Sequence, residues 1–180
     1  MTVEALSYAI DDQDRLIRLD EGFYRFAEEN GWKEAGSSLG RSLWDFVAGD
    51  DVRKLQKMLV RRVRDDVRSV KLPFRCNGPE ISREMDIRII AHSSGHVVLF
   101  SARLRSEEEW EEPQPLFDPD APREEGDFLS MCAWCDRFLV EGEWVEVEEA
   151  AKRLELFRRQ RMPLLDHGIC PQCSGQLLAA

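Results

Sequence analysis

Four of the chain's five cysteines fall into two Cys-x-x-Cys pairs, Cys132/Cys135 and Cys170/Cys173, with 34 residues between the pairs. A Cys-x-x-Cys turn sets two thiolates on one side, at the roughly 3.5 to 4 Å that a tetrahedral ion with Zn–S bonds of about 2.3 Å requires, so two turns complete a four-sulfur site. The spacer is longer than the 15 to 20 residues or so of a compact zinc motif. It reads as a hairpin over 138–147, turning at Glu141-Gly142, followed by a helix over 147–161 that presents Ala150, Leu154 and Phe157 and must end before Pro163. A segment this small and this poor in apolar residues needs a staple. A closed four-thiolate site also leaves no position for water or substrate, so the expected cofactor is one structural zinc ion.

Two other uses of these thiols stand beside zinc. Disulfides are disfavoured, since the N-terminus shows no export signal. Reversible thiol redox chemistry on the Cys-x-x-Cys pairs remains the alternative, although no thioredoxin-like strand and helix surrounds either pair. His167, three residues before Cys170, is close enough to replace a thiolate or to stand behind one, and the sequence leaves that open.

Charge divides the chain. The net charge is -10, yet residues 1–106 hold 18 basic and 17 acidic side chains, while residues 107–180 hold 7 and 18. The stretch 107–127 alone has ten acids, one base and four prolines, which rules out a helix or central strand. Three regions follow: a domain over 1–106, an acidic Pro-rich linker over 107–128, and a four-cysteine module over 129–180. Trp110, Leu116 and Phe117 could dock the linker on a flanking domain; a solvated spacer is the simpler reading.

The first region alternates strand and helix signals. Strands are expected at 5–10 and 15–19 around the turn DDQD, then a helix over 20–30 capped by Asp20 and stopped at Asn30-Gly31. A short helix at 40–47 precedes a longer one opened by Asp50 or Asp51. In it Val52, Leu55, Leu59, Val63 and Val67 recur opposite Arg53, Lys57, Arg61, Arg64 and Arg68, a basic face one helix wide that reads as solvated. Strands over 69–76, 81–91 and 95–105 form an antiparallel meander with one apolar face. In the last of these Val97 and Leu99 make the opposite face apolar as well.

This order, two strands, helices, then three strands, together with the runs GRSLWDF (40–46) and PFRC (73–76), resembles the stand-alone bacterial PAS proteins. The same proteins resemble this chain at its end, in CAWC (132–135) and HGICPQC (167–173). The resemblance implies an α+β PAS fold, a five-stranded antiparallel sheet with helices on one side, plus a small zinc-ribbon-like C-terminal module. It implies a signalling association and names no ligand or reaction.

Within such a fold the candidate pocket for a small apolar ligand is Phe23, Phe26, Trp44, Phe46, Phe74 and Cys76, residues that equally suit a plain core. Cys76 reads as a small buried core residue. No flavin is expected, because Cys76 lies at a strand end and outside any NCRFLQ-like helix; no haem is expected, because His92 and His96 flank a turn. Phosphate-binding loops, catalytic triads and kinase or receiver signatures are absent, so the chain is not expected to be an enzyme. The expectation is a cytoplasmic sensory, signalling or adaptor protein with a protein partner, forming a homodimer through the PAS domain. It is expected to bind neither membrane nor nucleic acid, which would require a basic surface.

Overall fold

A computed structural model of the protein describes residues 5–47, 49–66, 69–76, 81–92, 95–109, 126–159 and 161–178. Two strands, β1 (Ala5–Ile10) and β2 (Leu16–Leu19), form a hairpin around Asp14, whose φ of 60° closes the turn. The helix α1 (Glu21–Glu29) follows, with the Asp20 carboxylate accepting from Phe23 N at 2.7 Å. The run expected to be helical at 40–47 forms only a 3-10 turn over Leu43–Asp45, its N-terminal turn held by the Ser42 hydroxyl. Then come α2 (Asp50–Asp66), β3 (Ser69–Arg75), β4 (Ile81–His92) and β5 (Val97–Glu109).

The five strands make one antiparallel sheet in the order β2-β1-β5-β4-β3, with both helices in the connection between β2 and β3. This is the PAS arrangement. The register explains why one face is apolar: Tyr8 lies beside Phe100, Phe100 beside Ile89 and Ile89 beside Val70, so alternate residues of four strands form apolar rows across the sheet. Val52, Leu55, Leu59 and Val63 of α2, all nearly inaccessible, cover those rows.

The C-terminal region has its own sheet, ordered β8-β7-β6-β9, with β6 (Phe128–Cys132) paired to β7 (Phe138–Val140) and parallel to β9 (Leu164–Gly168). The hairpin of β7 with β8 (Glu143–Val145) turns at Glu141 and Gly142, both at positive φ as a two-residue type I′ turn requires. The helix expected over 147–161 is shorter. It runs as α3 (Val147–Arg153), breaks where Glu155 takes a left-handed φ of 47°, and resumes as a 3-10 turn over Leu156–Arg158. A last helix, α4 (Pro171–Leu178), begins inside the second cysteine pair.

The strands enter the expected linker from both ends, β5 reaching Glu109 and β6 beginning at Phe128. Residues 110–125, with Trp110, Leu116 and Phe117, lie outside the described residues, as do Val67, Arg68 and the turn residues 77–80 and 93–94. The linker does not insulate the two regions. Leu156, Phe157, Ala150 and Phe138 belong to the same contiguous core as Leu59 and Val70, because α3 and the 3-10 turn after it pack on α2 and β3. A module of this size cannot enclose its apolar side chains alone and completes its core on its neighbour.

Candidate metal centre and its seat on the PAS domain

The parallel pairing of β6 with β9 assembles the cysteines. Cys132 stands opposite Gly168 at the end of both strands, and Ala133 N donates to Gly168 O at 3.0 Å, which brings Cys170 to the first pair. Cys132 ends β6 and Cys135 lies on the turn toward β7, whereas Cys170 immediately precedes α4 and Cys173 lies in its first turn. The four Sγ atoms all lie within 4.8 Å of one another, with Cys135 and Cys170 at 3.6 Å. A tetrahedron with 2.3 Å bonds has an edge of about 3.8 Å, so a small inward movement seats one ion.

Donors around the sulfurs suit thiolates. Cys170 N donates to the Cys132 Sγ at 3.4 Å, and Cys173 N to the Cys170 Sγ at 3.4 Å. Burial pushes the Cys132 thiol up, but the N–H groups of Cys170, Trp134 and Cys135 outweigh it and bring the thiol down to about 6. Burial and the neighbouring thiols push Cys173 up to about 12; burial also raises Cys135. Unlike thiols in one cluster are what four sulfurs without a counter-charge must give, since ionising one opposes ionising the next. A divalent cation removes that opposition.

His167 does not join the four sulfurs. It is exposed on β9, with its Nε2 3.5 Å from the Lys54 Nζ of α2.

Charged side chains tie this centre to the PAS domain. Arg62 of α2 lies 3.0 Å from Asp66, 3.6 Å from Glu146 and 3.3 Å from Glu148. Glu146 is shared with Arg137, two residues past Cys135, at 2.9 Å, and Arg137 also donates to Gln172, between the second pair, at 2.6 Å. Arg61 reaches Asp136 at 3.5 Å, and Arg158 reaches Glu84 of β4 at 2.7 Å. On the basic face named from the sequence, Lys57 and Arg61 are exposed, as the solvated reading expects, and Arg64 is half-buried; Arg62, beside that face, carries most of the contacts to the module. Arg64 donates to Asp14 at 2.7 Å, and Lys57 lies over the Trp44 ring at 5.4 Å. The acids that α2 meets on other elements are distant in sequence, so helical periodicity alone gives no sign of them.

Of the candidate pocket residues, Phe23, Phe26, Phe74 and Cys76 meet in one cluster around Leu6, Met85 and Ala102. Phe46 joins through Trp32, a residue the sequence reading passed over: Trp32 is 5.4 Å from Phe46 and 5.9 Å from Phe23, and Phe23 is 5.8 Å from Tyr8, which stacks on Phe100 at 4.6 Å. Trp44 stands apart and donates its indole N–H to Asp14 at 2.6 Å. Arg83, also missed, is nearly inaccessible; it pairs with Glu107 at 2.8 Å, donates to Asn30 at 3.1 Å and lies 5.2 Å from the Phe26 ring centre. Burial raises the Cys76 thiol against the pull of Arg83, which suits a core cysteine. His92 and His96 are both exposed, His96 beside Asp12 at 3.4 Å.

No family model matches the chain, and no curated protein matches it. Solved structures give partial likenesses. VqmA of Vibrio cholerae, in a complex with ligand and DNA, has 16% identity over 56% of this chain and 46% of its own, with a TM-score of 0.43. A sensory box sensor histidine kinase from Vibrio cholerae has 9% identity over 57% and 82%, at 0.42. A PAS domain from a two-component sensor histidine kinase has 18% over 61% and 86%, at 0.29. The chain spans under half of the VqmA chain. With these TM-scores below 0.5, the fold assignment rests on strand order and connections. No helix among the described residues is long and apolar enough to cross a membrane.

Proposed function

We propose that this is a cytoplasmic sensory or adaptor protein, in which a PAS domain is read out by a zinc-held module through association and without catalysis. The observation that supports it is the seat of the module: Arg62 is held between Asp66 of its own helix and Glu146 and Glu148 of the module, and Glu146 is held in turn by Arg137 beside the cysteines. A ligand or partner that moves α2 therefore moves carboxylates bonded to the metal-site turn. The cluster of Phe23, Phe26, Phe74 and Cys76 is the candidate place for a small apolar ligand, and the Val97–Leu99 row the candidate surface for a homodimer. Zinc is structural in this reading, with Cys132, Cys135, Cys170 and Cys173 as its ligands.

The test is hydrogen exchange across the whole chain before and after zinc is removed by chelation under reducing conditions. Exchange that rises in residues 128–178 and also along α2 supports coupling. Exchange that rises in the module alone contradicts it. The alternative, a thiol redox protein or switch, uses the same four sulfurs. It predicts oxidation and re-reduction of the pairs at full rate in zinc-free protein, whereas a structural site predicts loss of the module's fold.

A further inference from the structure

On the face of the PAS sheet turned away from the helices, we infer a docking groove for an acidic polypeptide segment. The inference deepens the partner-binding reading above and rests on it.

Residues of odd number in β5 share that outer face, since Val98, Phe100 and Ala102 are buried on the other. The register sets Ser7, Ser101, Arg88 and Lys71 in one row across β1, β5, β4 and β3, with Arg103 and Asp86 in the next. The groove measures ≈ 520 Å³, within the roughly 300 to 1,000 Å³ of small-ligand clefts, and its lining includes the small residues Ala5, Ser7 and Ser101. These small side chains let a second backbone approach.

Its charge is the informative feature. In a chain of net charge -10, the groove is lined by Lys71, Arg88 and Arg103. Its two acids are already engaged. Asp86 lies 3.0 Å from Lys71 and 3.8 Å from Arg105, while Asp20 caps α1 and accepts from the Ser7 hydroxyl at 2.6 Å. Arg88 and Arg103 are exposed on neighbouring strands, and among the described residues no acid pairs with either. Two adjacent guanidiniums with free forks favour paired carboxylates.

The length fits a chain better than a small anion. Four strands at about 4.8 Å spacing span roughly 14 Å, the reach of about four extended residues, so one peptide can cross the groove and offer carboxylates to Arg88 and Arg103 together. A symmetric contact centred on the groove itself would set these cations against each other, so its occupant is not the second copy, for which the Val97–Leu99 row toward the other end of β5 is the candidate surface. Nucleic acid fits less well: Ser7, Ser101, Arg88 and Lys71 offer no aromatic ring for a base to stack on, and the rest of the chain is acidic.

The experiment uses the full zinc-loaded chain and a fluorescent twelve-residue peptide of alternating Glu and Ala, read by anisotropy at low salt. A single-stranded oligonucleotide of equal charge is the comparison. The proposal predicts saturable peptide binding that weakens with salt and falls at least tenfold in R88S/R103S, with R88K/R103K intermediate. Unchanged zinc content and circular dichroism show that the variants are folded. Absence of saturable binding, equal binding by R88S/R103S, or tighter oligonucleotide binding lost in the same variant overturns it. Any of these with zinc content and α2 coupling intact leaves the proposed function standing.

Discussion

Arg62 on α2 and Glu148 on α3, 86 positions apart in the chain, lie with Nη2 3.3 Å from Oε1, and Arg62 also serves Asp66 and Glu146. The side chains of all three acids and of Arg62 itself are at most one-third exposed. Desolvation and the three carboxylates act in opposite senses on the guanidinium, and the carboxylates prevail, so its pKa is raised.

Removing such a partner leaves half-buried carboxylates facing one another, which costs more than an exposed pair is worth. Arg62→Ala should therefore destabilise the protein by about 1–3 kcal/mol. Denaturant titration of both variants checks this, and Arg62→Lys should recover part of the loss. A change within experimental error for Arg62→Ala would show that the seat of the module does not depend on it.

Gly22, at the second position of α1, packs against the Ala5 carbonyl oxygen so closely that a Cβ there would collide with backbone. Alanine normally gains up to about 1 kcal/mol over glycine in a helix. Here the collision should dominate, and Gly22→Ala should lower stability by about 1–3 kcal/mol in thermal or denaturant unfolding. A stabilised variant would mean that α1 can move off β1 freely.

The Asp20 carboxylate gives a pH signature. Burial opposes its ionisation, but the Ser7 hydroxyl and the Ser7 and Phe23 N–H groups prevail, so its pKa lies below the usual carboxylate value. A folded-state pKa below the unfolded one gives stability that is present above about pH 4 and lost as pH falls through the folded value. Asp20→Ala should lose about 1 kcal/mol at neutral pH, while Asp20→Asn keeps a cap and flattens the acid limb. Unfolding curves between pH 2 and 7 test both, and a wild-type acid limb unchanged in Asp20→Asn would refute the assignment.

Much of this architecture is legible in the sequence because it is local. The alternation in β4 and β5, the Asp20 cap, the Glu141-Gly142 turn and the spacing of the cysteines each declare themselves within a few residues. What escapes is set by distant partners. LLDHG (164–168) lacks the β-branched residues of a strand and pairs with β6 across 36 positions. The contacts of Arg61 and Arg62 with the module give no local sign because Asp136, Glu146 and Glu148 are 75 to 86 residues away. Trp32 joins Phe46 to Phe23 only once the chain after α1 folds back, and Arg83 is tolerated inside because Glu107 and Asn30 arrive from two other elements.

Val97 and Leu99 are half-buried on the outer sheet face, opposite His92 and Ile90 of β4. Light scattering across the micromolar range should give a dimer, and Val97→Lys with Leu99→Lys should give a monomer of 20.9 kDa. A wild-type monomer throughout that range would remove this surface from the account.

The most direct test of the central claim is elemental analysis of reduced, tag-free protein, paired with limited proteolysis. Zinc needs deprotonated ligands in a geometry the unfolded chain lacks, so its binding free energy becomes folding free energy for the module. The account predicts one zinc per chain, lost in Cys170→Ser together with protection of residues 128–178, and unchanged in Cys76→Ser. Protein without stoichiometric zinc, or a Cys170→Ser variant with full zinc and undiminished protection, would contradict it.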